Sequence, residues 1–277
     1  MIRSTGDFDM NLNMARALTS FDATSLDALN EKAAMLERLD NKYIVPVDRL
    51  LPALMRFKDL FDVLEISGKR SFVYATEYHD DKDTRSYFDH HQGRRKRCKI
   101  RVRTYVDAGF SYLEVKLKDR RNVTVKKRLK LAGCEMGLSN DALTFIDRCH
   151  SDIYGAPLNR RLMPVIKMRY ARITLVAKEG GERMTIDTNL SFHNHAVERH
   201  VAPDHFILET KSARGNGMAD RILRGEHLHP TKQCSKYCMG MAALGAVERH
   251  NRFLPALRRL RVFDQPLMFR EAIEKAA

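Results

Sequence analysis

The side chains of this sequence with the clearest chemical potential are cationic, and they recur at every second residue. In KIRVRTY (99–105) one parity carries Lys99, Arg101, Arg103 and Tyr105, and the other Ile100, Val102 and Thr104. YLEVKLK (112–118) sets Tyr112, Glu114, Lys116 and Lys118 against Leu113, Val115 and Leu117, and VKKRLKL (125–131) adds Lys126, Arg128 and Lys130. Segment 37–45 presents Arg38, Asp40 and Lys42. Further on come Tyr170 with Arg172, then Arg183, Thr185 and Asp187, then Glu209 with Lys211. Alternate side chains of an extended strand share a face, so each segment has a greasy side and a basic side. Such faces most often form the solvated side of an antiparallel sheet. Cations directly opposite cations on neighbouring strands repel unless an anion lies between them. A sheet closed with these faces inward would instead make a basic tunnel with a few carboxylates, suited to a polyanion plus a metal.

The elements that must position these groups are mostly short strands. Extended segments are expected at 37–45, 70–79, 99–106, 112–118, 123–131, 165–176, 183–190 and 205–211, most of them bounded by Gly, Asp, Asn or Pro. Helical spacing of apolar residues marks two short helices within 10–36 and others at 48–61, where Pro52 is a weak point, 139–150, 235–246, 252–260 and 265–276. Links between the central strands are too short for helical crossovers. The fold class is therefore α+β, an antiparallel strand-rich core with helices at its edges and at both termini. With no internal repeat or low-complexity linker, the chain reads as one domain, with helical segments over 1–36 and 241–277 around a core over 37–240.

The 277 residues include 44% hydrophobic and 30% charged side chains, a globular composition that rules out wholesale disorder. Lysine and arginine number 49 against 35 acids, a net charge of +14 that implies an anionic partner without choosing among nucleic acid, membrane surface and phosphorylated small molecule. No apolar stretch is long enough to span a membrane. MIRSTGDFDMN lacks the basic start and apolar run of an export signal, and five irregularly spaced cysteines fit a reducing compartment. The expected location is the cytoplasm.

The ordered series RLDNKYIV, KIRVRTY, YLEVK, VKKRLKL, YARITL, RMTIDTNL, FILETK and SKYCMG resembles the vacuolar transporter chaperone (VTC) domain of polyphosphate polymerases, within the CYTH-like or triphosphate tunnel metalloenzyme superfamily. The resemblance implies a closed antiparallel β-barrel, a triphosphate tunnel with a charged interior. It places Lys42, Arg101, Arg103, Lys116, Arg172 and Lys236 on the family's phosphate-gripping catalytic positions, and one of Lys126, Lys127 or Arg128 on another. Strand parity favours Lys126 and Arg128. Arg183, and Arg38 and Lys211 on the same basic faces, complete the substrate-binding candidates. Arginine forks bind phosphate bidentately and lysine acts as a point charge. Glu209 in FILETK matches the family's metal-binding glutamate, with Glu114 as a second candidate acting through a water; carboxylate and phosphate oxygens together suit Mn²⁺ or Mg²⁺. The family's opening motif carries Glu where this chain has Asp40, one methylene shorter. The implied activity is transfer of the γ-phosphate of ATP onto inorganic polyphosphate with release of ADP. Attack by water would give a triphosphatase on the same site, and a tunnel without its metal carboxylate would be a polyphosphate or nucleotide sensor.

Other constellations carry less. His227, His229, Cys234 and Cys238 imitate a zinc set by type but not by spacing, and His193, His195 and His200 form a patch expected on a loop after Leu190. The basic run at 94–99 reads first as a solvated helix end and loop, and second as a docking surface for long polyphosphate. Gly68-Lys69 lacks the earlier glycine of a Walker A loop, and G-x-S-x-G and H-E-x-x-H are absent. Specific nucleic-acid binding would call for stacking aromatics or a reading helix, and a membrane partner is not indicated.

Overall fold

The computed structural model describes residues 12–32, 39–119, 123–132 and 137–264. Its elements in chain order are α1 (Leu12–Thr19), β1 (Ala23–Thr24), α2 (Leu26–Lys32), β2 (Leu39–Pro46), α3 (Val47–Phe57), β3 (Phe61–Leu64), β4 (Phe72–Asp80), α4 (Arg85–His91), β5 (Cys98–Tyr105), β6 (Phe110–Lys118), β7 (Thr124–Leu131), α5 (Asn140–Tyr154), β8 (Met163–Ala177), β9 (Arg183–His193), β10 (Glu198–Val201), β11 (His205–Ser212), α6 (Met218–Gly225), α7 (Lys236–Ala243), α8 (Leu254–Leu260) and β12 (Val262–Asp264). Arg38 and the helix expected at 265–276 lie outside the described residues. No helix among the described residues is long and apolar enough to cross a membrane.

The main sheet runs β7-β6-β5-β4-β8-β9-β11-β2, antiparallel throughout. β10 and then β12 extend it from the far half of β9, while β3, paired in parallel with β1, continues along β8 beyond β4. The expected helix over 48–61 stops at Phe57. Apolar spacing alone carried it on through Phe61 and Val63, whose backbones instead pair with β8. Pro52 sits inside α3 without ending it, because the helix buries Leu50, Ala53, Leu54 and Phe57.

The expected closed barrel requires a correction, since among the described residues no ladder joins β7 to β2 and the sheet ends at these two edges. Lys126, Lys127, Arg128 and Lys130 are all exposed on β7, and charges on an edge strand oppose further pairing. The sheet still curls. β6 and β11 are five ladder steps apart, roughly 24 Å on a flat sheet, yet Lys116 and Glu209 act on each other electrostatically. The start of α7 bridges the same curl: Ser235 accepts a hydrogen bond from Lys99 of β5 at 2.9 Å, and the next residue, Lys236, pairs with Asp187 of β9.

The greasy strand faces point outward under helices. α1, α3 and α6 cover Ile173, Leu175, Met184, Ile186, Phe206 and Leu208, and α5 covers Ile100, Leu113, Val115 and Leu117. The inner face is apolar at one end, where Ile166, Met168 and Phe192, on the parity of Tyr170 and Arg172, pack with α4, α7 and α8. α7 approaches so closely that a Cβ on Gly240 would stand 2.7 Å from Phe192 Cδ1 and 2.8 Å from Ile166 Cδ1, which explains a glycine there. Asp220 anchors α6 beneath the site strands. Its Oδ1 accepts from Tyr43 (2.6 Å), Thr210 (2.7 Å) and Asn41 (3.0 Å), and its Oδ2 from the Gly217 amide (3.0 Å). Asp220→Ala should therefore lower stability by about 3 kcal/mol, read as a lower urea midpoint at unchanged m-value.

Candidate functional site

Register converts the alternating sequence into rungs across the inner face. Lys99, Lys116 and Lys126 lie abreast on β5, β6 and β7, as do Arg101, Glu114 and Arg128, and then Arg103, Tyr112 and Lys130. On the opposing wall Arg172 faces Asp187, and Lys42, Glu209 and Thr185 form one rung beside another of Asp40, Lys211 and Arg183. Every described sequence-predicted site residue on a strand thus belongs to one curled surface, and Lys236 joins it from α7. Lys127 has the other parity, across from Val115, where its charge acts on Cys149 of α5.

Three carboxylates organise the cations. Glu114 is fully buried on β6, bonded by Arg101 Nε at 2.7 Å and Nη2 at 2.5 Å, paired with Lys126, and 3.9 Å from Arg103 Nη1. Burial alone would raise its pKa, but Arg101, Arg103 and Lys126 hold it well below the usual carboxylate range. Arg101 also donates to the Tyr78 hydroxyl at 2.8 Å, so all three of its nitrogens are engaged. Asp187 takes a bidentate grip from Arg172, Nε to Oδ1 at 2.6 Å and Nη2 to Oδ2 at 2.8 Å, and pairs with Lys236. Glu209 receives Lys211 and Lys42, the latter at 3.4 Å, both on Oε1. Despite burial, Lys211, Lys42, Arg172 and Lys116 keep its pKa well below the ordinary value. Lys42 is correspondingly raised, since Glu209 and Asp40 outweigh its burial.

Part of the remaining charge is compensated only at a distance, by Glu209 and Glu114 acting on Lys116. Lys116 makes no hydrogen bond or ion pair among the described residues, and Arg101, burial and Arg103 push its pKa well below the lysine range. Lys99, bonded only to the Ser235 hydroxyl, is lowered by burial and by Lys42 and Arg101. Buried polar atoms without partners line the same surface: Thr76 Oγ1, Arg103 Nε, Tyr170 OH and Thr185 Oγ1. Buried groups of this kind call for a ligand or water to complete them.

Among the described residues no group of three or more His, Cys, Asp or Glu converges to hold a metal, and this includes the two His and Cys sets noted in the sequence. His193 belongs to β9 and His200 to β10, so the His patch sits on a hairpin and not on a loop, because β9 continues past Leu190. Glu209 Oε2 accepts no hydrogen bond among the described residues and can offer one hard oxygen. Glu114 has both oxygens spent on cations, which fits a positioning carboxylate better than a metal ligand.

Sequence reasoning passed over Asp187, Lys99 and Ser235 as site groups. Parity alone would have found the first two, since Asp187 continues Arg183 and Thr185, and Lys99 precedes Arg101 on the same face.

A family model for the VTC domain matches residues 37–245. The chain belongs to the VTC domain family. No curated protein is similar enough in sequence to match. Among solved structures, this VTC chain is similar to the putative adenylyl cyclase HpAC1 from Hippeastrum, described as having a dominant triphosphatase activity, at 12% identity over 78% of this chain and 100% of that one, TM-score 0.43. It is also similar to PH1819 from Pyrococcus horikoshii OT3, at 12% identity over 72% of this chain and 96% of that one, TM-score 0.41.

Asp187 gives this VTC domain an acid signature. Its pKa falls from 3.8 to about 2 because Arg172 and Lys236 outweigh burial. A depressed carboxylate contributes stability that is fully present above its unfolded pKa and is lost as pH falls through the folded one. Urea titrations should show about 2 kcal/mol lost between pH 4 and pH 2, a component missing in Asp187→Asn.

Proposed function

We propose that this VTC domain is a metal-dependent polyphosphate polymerase that moves the γ-phosphate of ATP onto a growing inorganic polyphosphate chain inside its basic surface. The observation that carries this reading is the rung of Lys99, Lys116 and Lys126, three cations abreast of which Lys126 alone has an ion-pair partner among the described residues, Glu114 of the next rung. Only a ligand with closely spaced negative charges along its length relieves such a row and the neighbouring arginines together. A polyphosphate chain has that form.

The division of labour follows from the contacts. Asp187 fixes Arg172 through Nε and Nη2, which leaves Nη1 for phosphate, and Glu114 fixes Arg101 so that its charge stays in the interior. Arg103 and Lys116, the least committed cations, grip the phosphates directly, with Lys126, Arg128, Arg183 and Lys211 along the walls and Lys42 and Lys236 near Glu209 and Asp187. Glu209 would hold Mn²⁺ or Mg²⁺ through Oε2, and such an ion would supply charge neutralisation for the transferring phosphates. The terminal oxygen of the acceptor chain forms a bond to the γ-phosphorus, the bond from that phosphorus to the β–γ bridging oxygen breaks, and ADP leaves with the electron pair. No side chain has to act as nucleophile, because positioning and charge neutralisation supply the catalysis.

Purified protein with ATP and Mn²⁺ or Mg²⁺ should release ADP as long-chain polyphosphate accumulates, and Glu209→Gln should slow both by about 100-fold. Free phosphate without polymer would make the domain a triphosphatase, and tight tripolyphosphate binding without turnover would make it a sensor. Lys116 provides a second check. An anion beside it offsets the repulsion from Arg101 and Arg103, so tripolyphosphate binding below the ordinary lysine pKa should take up a proton. Calorimetry in buffers of different ionisation heat should register that uptake, and Lys116→Gln should lack it.

A further inference from the structure

Tyr170, Tyr74, Tyr105, Phe110 and Tyr112 form a continuous run of rings along the inner face. Centroids are 5.4 Å apart for Tyr170 and Tyr74, which stack 3° from parallel, 5.0 Å for Tyr74 and Tyr105, 4.9 Å for Tyr105 and Phe110, and 5.7 Å for Phe110 and Tyr112. The run begins at fully buried Tyr170, under Arg172 and Lys236, and ends at the β5–β6 turn, where the other four rings are partly exposed. Besides those over Tyr170, cations sit over three more of the rings: Arg172 and Arg103 over Tyr74 at 5.3 and 5.5 Å, Arg128 over Tyr112 at 4.9 Å, Lys130 over Phe110 at 5.7 Å. A phosphate-binding wall can use the tyrosine hydroxyls as donors, but it has no use for Phe110 or for a run of stacked, partly exposed rings.

We infer that this aromatic end of the basic surface receives the base of a nucleoside triphosphate, stacked among Tyr105, Phe110 and Tyr112 with the Arg128 guanidinium alongside. The inference rests on the phosphoryl-transfer reading above and adds to it where the nucleoside lies. The distances suit a nucleotide laid along β6: Tyr112 is two residues and Phe110 four residues beyond Glu114, roughly 7 and 13 Å at strand spacing, so phosphates gripped around Glu114 put the nucleoside at these rings. Stacking uses ring faces that every base possesses, and the cluster brings few groups to read a base edge, so the site accepts purine and pyrimidine nucleotides alike and separates all of them from inorganic tripolyphosphate. The opposite end of the same strands, with Lys99, Lys116 and Lys118, has no rings on its rungs and belongs to phosphate alone.

Tyr105→Leu and Tyr112→Leu keep apolar bulk and remove the ring, and Tyr112→Phe keeps the ring. Each leucine variant should raise KM for ATP roughly tenfold, the size expected for one lost base–aromatic stack, and leave KM for inorganic tripolyphosphate unchanged; Tyr112→Phe should match the unmodified protein. As a readout independent of turnover, 2-aminopurine riboside triphosphate should lose fluorescence on binding the unmodified protein and keep it with the leucine variants. Tripolyphosphate binding with no quenching of that probe, or equal quenching in all proteins, overturns the aromatic site and leaves the phosphoryl-transfer reading standing. A protein that binds and turns over neither compound overturns the underlying reading and this inference with it. A leucine variant that loses tripolyphosphate and ATP equally places the rings in the structural framework and overturns the inference alone.

Discussion

Repulsion among like charges on the inner face of a curled sheet is the constraint on which the rest of this structure depends. Pairing of β5 with β6 sets Lys116 in the field of Arg101 and Arg103, and curling, which brings β6 within reach of β11, sets Glu209 against it. The fold tolerates this because buried carboxylates are interleaved among the rungs, and because the outward faces carry enough apolar surface, under α1, α3, α5 and α6, to offset the electrostatic cost. Two rows carry no carboxylate of their own, and polar atoms on the strands around them are left without partners. A protein with no anion to bind gains nothing from that arrangement.

The three inner carboxylates divide the cations into groups with different duties. Glu114 and Asp187 use both oxygens on arginine and lysine, and they act by fixing the guanidinium planes of Arg101 and Arg172. Glu209 takes Lys211 and Lys42 on Oε1, and its Oε2 accepts no hydrogen bond among the described residues, which is why the proposed metal role falls to it. The helices serve the same surface. α7 delivers Lys236 and the Ser235 hydroxyl across the curl, which requires the close approach that Gly240 allows. Asp220 ties α6 to the strands that carry Lys42 and Glu209.

Much of this was legible in the residues because side-chain parity survives pairing: antiparallel partners keep the same face, so Lys99, Arg101 and Arg103 read from one segment predict the company of Tyr112, Glu114 and Lys116 read from the next. What parity cannot report is closure. Nothing in the alternation of β7 says whether its outer edge meets β2, and the exposed lysines that look like tunnel lining also keep that edge unpaired. Register was likewise hidden. Asp187 reads as one acid among cations until the β8–β9 ladder sets it against Arg172, and the slip in that ladder at Asn189, whose φ is 50°, has no strong sequence signal. Short strands such as β3, β10 and β12 escaped because pairing partners, not local pattern, make them strands.

The central claim is that the inner surface is completed by a linear polyphosphate, and thermal unfolding tests it most directly. Saturating inorganic tripolyphosphate, at about 100 times its Kd, should stabilise the folded chain by about 2.7 kcal/mol and raise Tm by roughly 5–10 °C. Sodium chloride at equal ionic strength should produce little of that shift, and Lys116→Gln should blunt the response to tripolyphosphate. Equal shifts with tripolyphosphate and chloride would mean that the cations are merely screened, and would contradict the account.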